Sequence, residues 1–309
     1  MKDKNPLVSV IIPNYNHARY LKQRLESVFS QTYQNFEVIV LDDCSSDNSL
    51  EIIEKYKDNP HLSQIVVNRA NSGSVFKQWD KGIELAKGEL IWIAESDDYC
   101  ELSFLEETVN ALAVKKTVVV ACAQYVFFND DHETCVKERK TRYYRGKDYI
   151  CNRLIRYNEI RNASGVIFSK RAYSNISKNY LTFRSAGDLQ FWSEILQYGD
   201  VVRVGKNLSY YRQSASSVTG TNATKGIVSR EDKRVYDYVS SIYCLTHWQK
   251  WMVHLIKARQ YQTACYDSED IRNEILTLWN IGADEGHSFW DCFVIWLSSS
   301  LERHFGLLI

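Results

Sequence analysis

Four short apolar runs constrain this chain more than any other feature: Val8–Ile12, Phe36–Leu41, Ile65–Val67 and Leu90–Ile93. Each breaks off into polar or acidic residues, and helical periodicity fills the gaps between them. Runs of this length and bulk read as strands buried on both faces. After the first, Tyr20, Leu21, Leu25, Val28 and Phe29 recur at three and four residues, which predicts a helix. The polar stretch Cys44–Ser49 caps a second helix over Leu50–Lys57, and a third runs from about Val75 to Ala86 and stops at Lys87-Gly88. The pattern β-α-β-α-β-α-β with short connections predicts an α/β fold. Its sheet is mostly parallel and Rossmann-like, with right-handed crossovers and flanking helices.

Ligands of such sheets bind beyond the carboxyl ends of the strands. The fourth run ends in Glu95-Ser-Asp-Asp98, three carboxylates within four residues. Neighbouring carboxylates repel by roughly 3 kcal/mol at ~5 Å and an effective dielectric of ~20. A hard divalent cation would relieve that cost and favour a phosphate-bearing ligand. The plainer alternative is a solvated loop in which Asp98 caps a helix starting near Ser103. Tyr15, Asp43, Asn71, Asp97 and Asp98 all follow strand ends, so a doubly wound sheet would gather them along one edge. That coincidence favours the ligand. No G-x-x-x-x-G-K-[ST] or G-x-G-x-x-G occurs, so phosphates would be held by a metal rather than by a glycine nest.

Further along, Glu101–Lys115 predicts a helix, and Val118–Ala123, Ala163–Phe168 and Leu208–Arg212 predict strands. The charged turn Asn129–Glu133 contains His132 but no spaced partners, and reads as a solvated loop. A helix begins near Gly187 with Leu189, Trp192 and Leu196 on one face. Asp188 stands at its start, where a capping carboxylate is the plain reading. Past Gly220 the texture becomes helical throughout, which predicts a sheet domain over 1–222 and a helical region over 223–309. In the last helix, Phe289, Phe293, Leu297, Leu301 and Phe305 fall four apart, flanked by Trp290 and Trp296. Such a stripe predicts core packing, with an interfacial membrane helix as the alternative.

Composition excludes some classes. With 38 basic and 38 acidic side chains, the chain lacks the electrostatic footprint of a nucleic-acid binder. Its eight cysteines form no C-x-x-C pair, which predicts reduced core thiols in a cytoplasmic protein rather than zinc or a disulfide framework. The first residues carry no apolar leader, and no run reaches the ~18 apolar residues of a membrane span.

Three stretches together resemble the opening of the family 2 glycosyltransferases: Ser9-Val-Ile-Ile-Pro-Asn-Tyr-Asn16, Ser27-Val-Phe-Ser-Gln-Thr-Tyr33 and Phe36-Glu-Val-Ile-Val-Leu-Asp-Asp-Cys-Ser-Ser-Asp47. Glu95-Ser-Asp-Asp98 is similar to that family's D-x-D-type motif, and Ala186-Gly-Asp-Leu-Gln-Phe-Trp192 to its catalytic-base motif. The resemblance covers about residues 7 to 220 and leaves the helical tail outside. It implies a GT-A fold and metal-dependent, inverting transfer of a sugar from a UDP-sugar. The acceptor would be a hydroxyl of a glycan or lipid-linked glycan, in capsule, O-antigen or exopolysaccharide synthesis. By the same resemblance, Tyr15 and Asp43 bind uracil beside Pro13 and Asp97 holds the ribose; Asn71 is expected at the nucleotide site from its place after a strand end. Asp98 binds Mn2+ or Mg2+, and Asp188 deprotonates the acceptor. Location at the inner face of the membrane, with peripheral contact through the C-terminal helix, belongs to the same expectation. In two places the chain departs from the family pattern. Cys44 replaces a frequent Gly, and Ser214 replaces a frequent His that supports the diphosphate or metal. A nucleotidyltransferase and a non-catalytic sugar-nucleotide binder are the rival readings.

Overall fold

The computed structural model describes residues 5–129, 132–134, 137–213, 218–282, 285 and 288–305. The chain divides into two compact units. Residues 1–144, 162–177 and 198–214 form the first, and residues 145–161, 178–197 and 215–309 form the second.

The first unit carries the strands β1 (Val8–Asn14), β2 (Phe36–Asp42), β3 (Leu62–Val67), β4 (Leu90–Ile93), β5 (Tyr99–Cys100), β6 (Val118–Phe128), β7 (Glu133–Thr134), β8 (Arg142–Tyr144), β9 (Val166–Ser169) and β10 (Asp200–Arg212). They join in one sheet in the order β3-β2-β1-β4-β9-β6-β10-β5, with β7 beside β6 and β8 beside β10. The β3-β2-β1-β4 half is parallel, as is the β6–β10 pair, and β9 runs antiparallel to both its neighbours. The mostly parallel α/β sheet expected from the sequence is therefore present.

Helices cover both faces because residues alternate along a strand. Val10, Ile12, Val38, Val40 and Trp92 share a core with Leu21, Leu25 and Val28 of α1 (Ala18–Phe29). The short α2 (Ser49–Glu54) adds Ile53 to that core. On the other face Ile11 meets α3 (Val75–Leu85) at Gly82, where an added Cβ would lie 2.3 Å from Ile11 Cγ2. Phe104, Leu105 and Val109 of α4 (Phe104–Ala113) complete the α1 side.

Several strand limits differ from those expected. β1 continues through Pro13, whose missing N–H is harmless because pairing with β4 ends at Ile11–Ile93 while pairing with β2 runs on to Asn14. β6 and β10 extend well beyond the apolar runs that announced them. The Gln124 side chain donates to the Lys137 carbonyl and Asn207 Oδ1, so a polar residue sits inside the ladder fully partnered. Ala163–Gly165 is a turn of 3-10 helix, and the strand starts only at Val166.

The second unit is helical: Gly187–Ile195, Val218–Thr224, Ile227–Ile242, His247–Gln262, Glu269–Leu278 and Phe289–Phe305. Buried polar contacts fix it. Asp232 Oδ2 accepts from Lys257 Nζ and Tyr261 Oη, both at 2.6 Å, and Trp279 Nε1 donates to the Ser229 carbonyl at 3.0 Å. Two segments that precede residue 222 belong to this unit, so the chain crosses between the units more than once.

Two expectations fail here. In the last helix Phe293 and Leu297, the two stripe residues whose side chains are described, are exposed, and the flanking Trp290 and Trp296 are 70% and 57% exposed. Of the seven cysteines described, Cys100, Cys122 and Cys151 are buried, whereas Cys44, Cys244 and Cys265 are exposed. Those three stand in loops or at helix ends, where no apolar face selects them for the core. Cys135 and Ser214 lie outside the described residues.

Candidate active site

The carboxyl ends of β1, β2 and β4 deliver Asn14, Asp42 and Ala94 to one edge, and the expected residues follow them. Asn14 Nδ2 donates to Asp42 Oδ2 at 2.8 Å and to Ser45 Oγ at 3.2 Å, tying the first two strand ends together. Asn16 takes a left-handed conformation (φ 56°), and its Oδ1 accepts from the Ser46 N–H at 2.7 Å. Pro13 is buried, and the ring next to it in sequence, Tyr15, is 47% exposed. An open aromatic face at this edge suits a nucleobase.

Asp43 is more heavily engaged than a free uracil ligand would be. Its Oδ1 accepts from Asn68 Nδ2 (2.5 Å), the Ser72 N–H (2.9 Å) and Gln78 Nε2 (3.0 Å), and its Oδ2 from Ser72 Oγ (2.7 Å). Asn71 turns its amide to the Asp43 carbonyl at 3.1 Å. Asp43 therefore organises the loop after β3. Ser72 and Gln78 were not anticipated.

At the Glu95–Asp98 turn the three carboxylates have distinct surroundings. Glu95 accepts from Trp79 Nε1 at 2.7 Å, and its carboxyl is pushed up to about 8, by burial first and by the Asp97 charge second. Asp98 is buried: Oδ1 accepts from the Arg212 N–H at 2.9 Å and Oδ2 from Asn162 Nδ2 at 2.7 Å, with Arg24 Nη2 3.9 Å away. Burial and Asp97 raise it to about 7 against the pull of Arg24. Asp97 is half-buried, and among the described residues no hydrogen bond or ion pair engages its carboxylate. Of the pair, then, Asp97 presents the accessible oxygens, and Asp98, expected to be the metal ligand, is the one the protein itself surrounds.

Five residues that the sequence reading did not single out shape this turn. Arg24 is fully buried, donates Nε–H to the Glu95 carbonyl at 2.8 Å and lies 5.8 Å from the Trp92 ring. Arg212 donates to the Asp97 carbonyl at 2.9 Å and packs over Tyr20 and Phe128. Ser164 Oγ accepts from the Glu95 N–H, Asn162 holds Asp98, and Trp79 holds Glu95. For Arg24 a signal existed. It shares the helix face of Leu21, Leu25 and Val28, and a cation on an apolar face requires buried carboxylates nearby.

The donor chemistry fits a hard cation, since an unengaged carboxylate stands between two others whose ionisation it opposes. Among the described residues no three His, Cys, Asp or Glu side chains converge to hold a metal alone. A cation held here would take one or two of these carboxylates and complete its shell with water and substrate phosphate.

In the second unit, Ala186 rather than Asp188 occupies the capping position of the Gly187–Ile195 helix. Asp188 sits within the first turn, where Oδ1 accepts from the Leu189 N–H at 2.8 Å and Oδ2 from Asn158 Nδ2 at 3.3 Å. Asn158 itself is left-handed (φ 44°), just beyond the π-turn Ile150–Leu154 and the short helix that follows it. The Asp188 side chain is crowded yet not sealed from solvent, and its carboxyl is raised to about 7, chiefly by burial.

A separate groove of about 1040 Å³ opens at the amino ends of β4 and β6, lined by Lys87, Leu90, Lys116, Val118 and Lys170 among others. None of the expected site residues reaches it.

The family described as Glycosyl transferase family 2 matches residues 9–175. The chain is 35% identical over 125 residues to the glycosyltransferase GlyG of Streptococcus pneumoniae, which is 40% of this chain and 41% of that protein. It therefore spans less than half the length of that relative. It is 30% identical over 227 residues to the UDP-Glc:alpha-D-GlcNAc-diphosphoundecaprenol beta-1,3-glucosyltransferase WfaP of Escherichia coli, covering 69% of this chain and 80% of that one. Among solved structures, TarS of Staphylococcus aureus in complex with UDP-GlcNAc superposes with a TM-score of 0.57 at 19% identity, over 97% of this chain and 73% of that one. That likeness shows the shared GT-A fold.

Proposed function

The chain belongs to glycosyl transferase family 2, and from that premise we propose that it transfers a sugar, with inversion, from a UDP-sugar to a hydroxyl of a glycan acceptor. The product would be a bacterial surface polysaccharide, in keeping with what the relatives' names describe. The observation that carries this reading is the Glu95–Asp98 turn, where Asp97 keeps an unengaged carboxylate at the carboxyl end of β4.

Uracil would stack on the open Tyr15 ring beside Pro13, and Asp43 would accept its N3 proton in exchange for one of the donors that now surround it. Asn71 would keep the loop after β3 in place through the Asp43 carbonyl. A Mn2+ or Mg2+ ion would be held by the Asp97–Asp98 pair, with the ribose beside Asp97. When bound, the ion stabilises the negative charge of the departing diphosphate. Asp188 takes the proton of the acceptor hydroxyl as its oxygen bonds to the anomeric carbon. The bond from that carbon to the β-phosphate oxygen breaks, and UDP leaves with the electron pair. Leaving-group protonation, required in glycoside hydrolysis, is unnecessary because diphosphate is already a good leaving group.

The exposed Trp290 and Trp296 support peripheral contact with the inner face of a membrane, since indole rings favour the interfacial layer. No helix among the described residues is long and apolar enough to cross a bilayer. Lipid-linked acceptors would fit that placement.

Calorimetric titration with UDP-, GDP- and dTDP-sugars, with and without Mn2+, tests the donor reading. Selective, metal-enhanced UDP binding supports it, and absence of any nucleotide binding would overturn it. Slow hydrolysis of the bound donor separates an enzyme from a mere binder. Release of pyrophosphate from a nucleoside triphosphate would instead favour a nucleotidyltransferase.

A further inference from the structure

The three residues before the Gly187–Ile195 helix aim their backbone N–H groups at a single carboxylate. Glu231, on the Ile227–Ile242 helix, accepts from Arg184 N at 2.7 Å through Oε1, and from Ser185 N and Ala186 N at 2.8 Å each through Oε2. Glu231 is itself buried. Ala186 is the capping residue and has no side-chain acceptor to offer, so the N–H groups leading into this helix take their acceptor from elsewhere in the sequence. Charge-assisted bonds to an ionised carboxylate are the strong kind, and three of them converge here. The next residue, Asp232, turns the other way to Lys257 and Tyr261, which anchors the same helix to His247–Gln262. One helix thus joins the C-terminal helices to the segment that carries Asp188.

We propose that Glu231 is a positioning residue for Asp188, fixing the 184–186 backbone so that the Asp188 carboxylate meets the acceptor hydroxyl. This inference rests on Asp188 being the base. It gives the C-terminal helices a part in catalysis, and Glu231 lies outside the family match over residues 9–175. Two neighbouring contacts act in the same direction. The Asp188 carboxylate is held by Asn158 and by its own following N–H, so a displaced 184–186 backbone moves both the base and one of its holders.

Glu231→Gln tests this. An amide keeps the size but faces at least one of the three N–H groups with its own donors. The variant should bind UDP within about twofold of wild type and lose roughly 10- to 100-fold in kcat, the scale of a misplaced catalytic group. Glu231→Asp, which retains the charge, should recover part of that loss. The decisive readout is non-additivity. In an Asp188→Asn background the second substitution should change kcat less than twofold, because the group it positions has already been disabled. Equal losses in both backgrounds, or wild-type kcat in Glu231→Gln, would overturn the inference while leaving the base reading intact. Wild-type kcat in Asp188→Asn alone would overturn the base reading first. Should Glu231→Gln yield no folded protein, Glu231→Asp carries the same two-background comparison, with the same outcomes deciding.

Discussion

Arg24 offers the sharpest test of how the carboxylate turn is held. Its guanidinium is fully buried, 3.9 Å from Asp98 Oδ2, with Nε on the Glu95 carbonyl. Replacing it with Met fills most of the volume and removes the buried counter-charge 3.9 Å from Asp98. At 3.9 Å and an effective dielectric of ~20, the lost attraction to Asp98 is about 4 kcal/mol. That loss requires Asp98 to be ionised. Asp98 and Glu95 titrate near 7 and 8 in the folded protein, well above ordinary carboxylates. A carboxyl with a raised folded pKa binds its proton more tightly in the folded state. Its contribution to stability is therefore greatest below about 4 and falls as pH rises through 7 to 8. Removing Arg24 should raise the Asp98 carboxyl further and extend that fall to higher pH. In urea unfolding, Arg24→Met should cost about 1.5–3 kcal/mol at pH 5, mainly the lost bond to Glu95, and up to about 2 kcal/mol more at pH 8.5, the limit set by reprotonation of an Asp98 that titrates near 7. Equal losses at the two pH values would refute the idea that Arg24 balances ionised Asp98.

Three further outcomes are expected. Asp43→Ala should weaken UDP binding about 10- to 150-fold by calorimetry, whether or not a sugar is attached, as loss of a bond to a charged acceptor does; unchanged affinity would remove Asp43 from the nucleotide site. Asp97→Ala should abolish the Mn2+ enhancement of UDP binding with little change in unfolding midpoint, because that carboxylate has no partner among the described residues, whereas Asp98→Ala should lower the midpoint as well. Removing residues 288–309 should abolish flotation with anionic vesicles and leave UDP affinity intact, and loss of UDP binding by the folded truncation would contradict the placement of the donor site in the first unit.

The parallel half of the sheet was legible because each strand carries an apolar run of three or more residues and each helix a periodic pattern. β6 and β10 were legible only in part. Gln124, Arg203, Gly205 and Asn207 interrupt their apolar pattern, and the reasons are tertiary. Gln124 and Asn207 pair with each other, and Gly205 admits the Arg139 carbonyl, which an added Cβ would meet at 1.9 Å. The site was legible as a set of strand-end residues, since that follows from topology alone. The division of labour between Asp97 and Asp98 was not. It depends on Arg24, Asn162 and Arg212, which lie 74, 64 and 114 residues from Asp98 and meet it only once the sheet has formed. Asp188 shows the same limit. Its sequence context resembled a cap, yet in the folded chain the cap is Ala186 and the compensating carboxylate is Glu231, 45 residues further on.

The central claim is that Asp188 removes the acceptor proton, and single-turnover transfer by Asp188→Asn tests it most directly. With donor and Mn2+ saturating, UDP-sugar affinity should stay near that of wild type while the transfer rate falls by about 10²–10⁴, the usual share of a positioned general base. Wild-type kcat should rise with pH to a plateau above about 7, where the Asp188 carboxyl ionises, and the residual rate of the variant should lack that limb. Wild-type-like transfer by Asp188→Asn, with the same pH profile, would contradict the account.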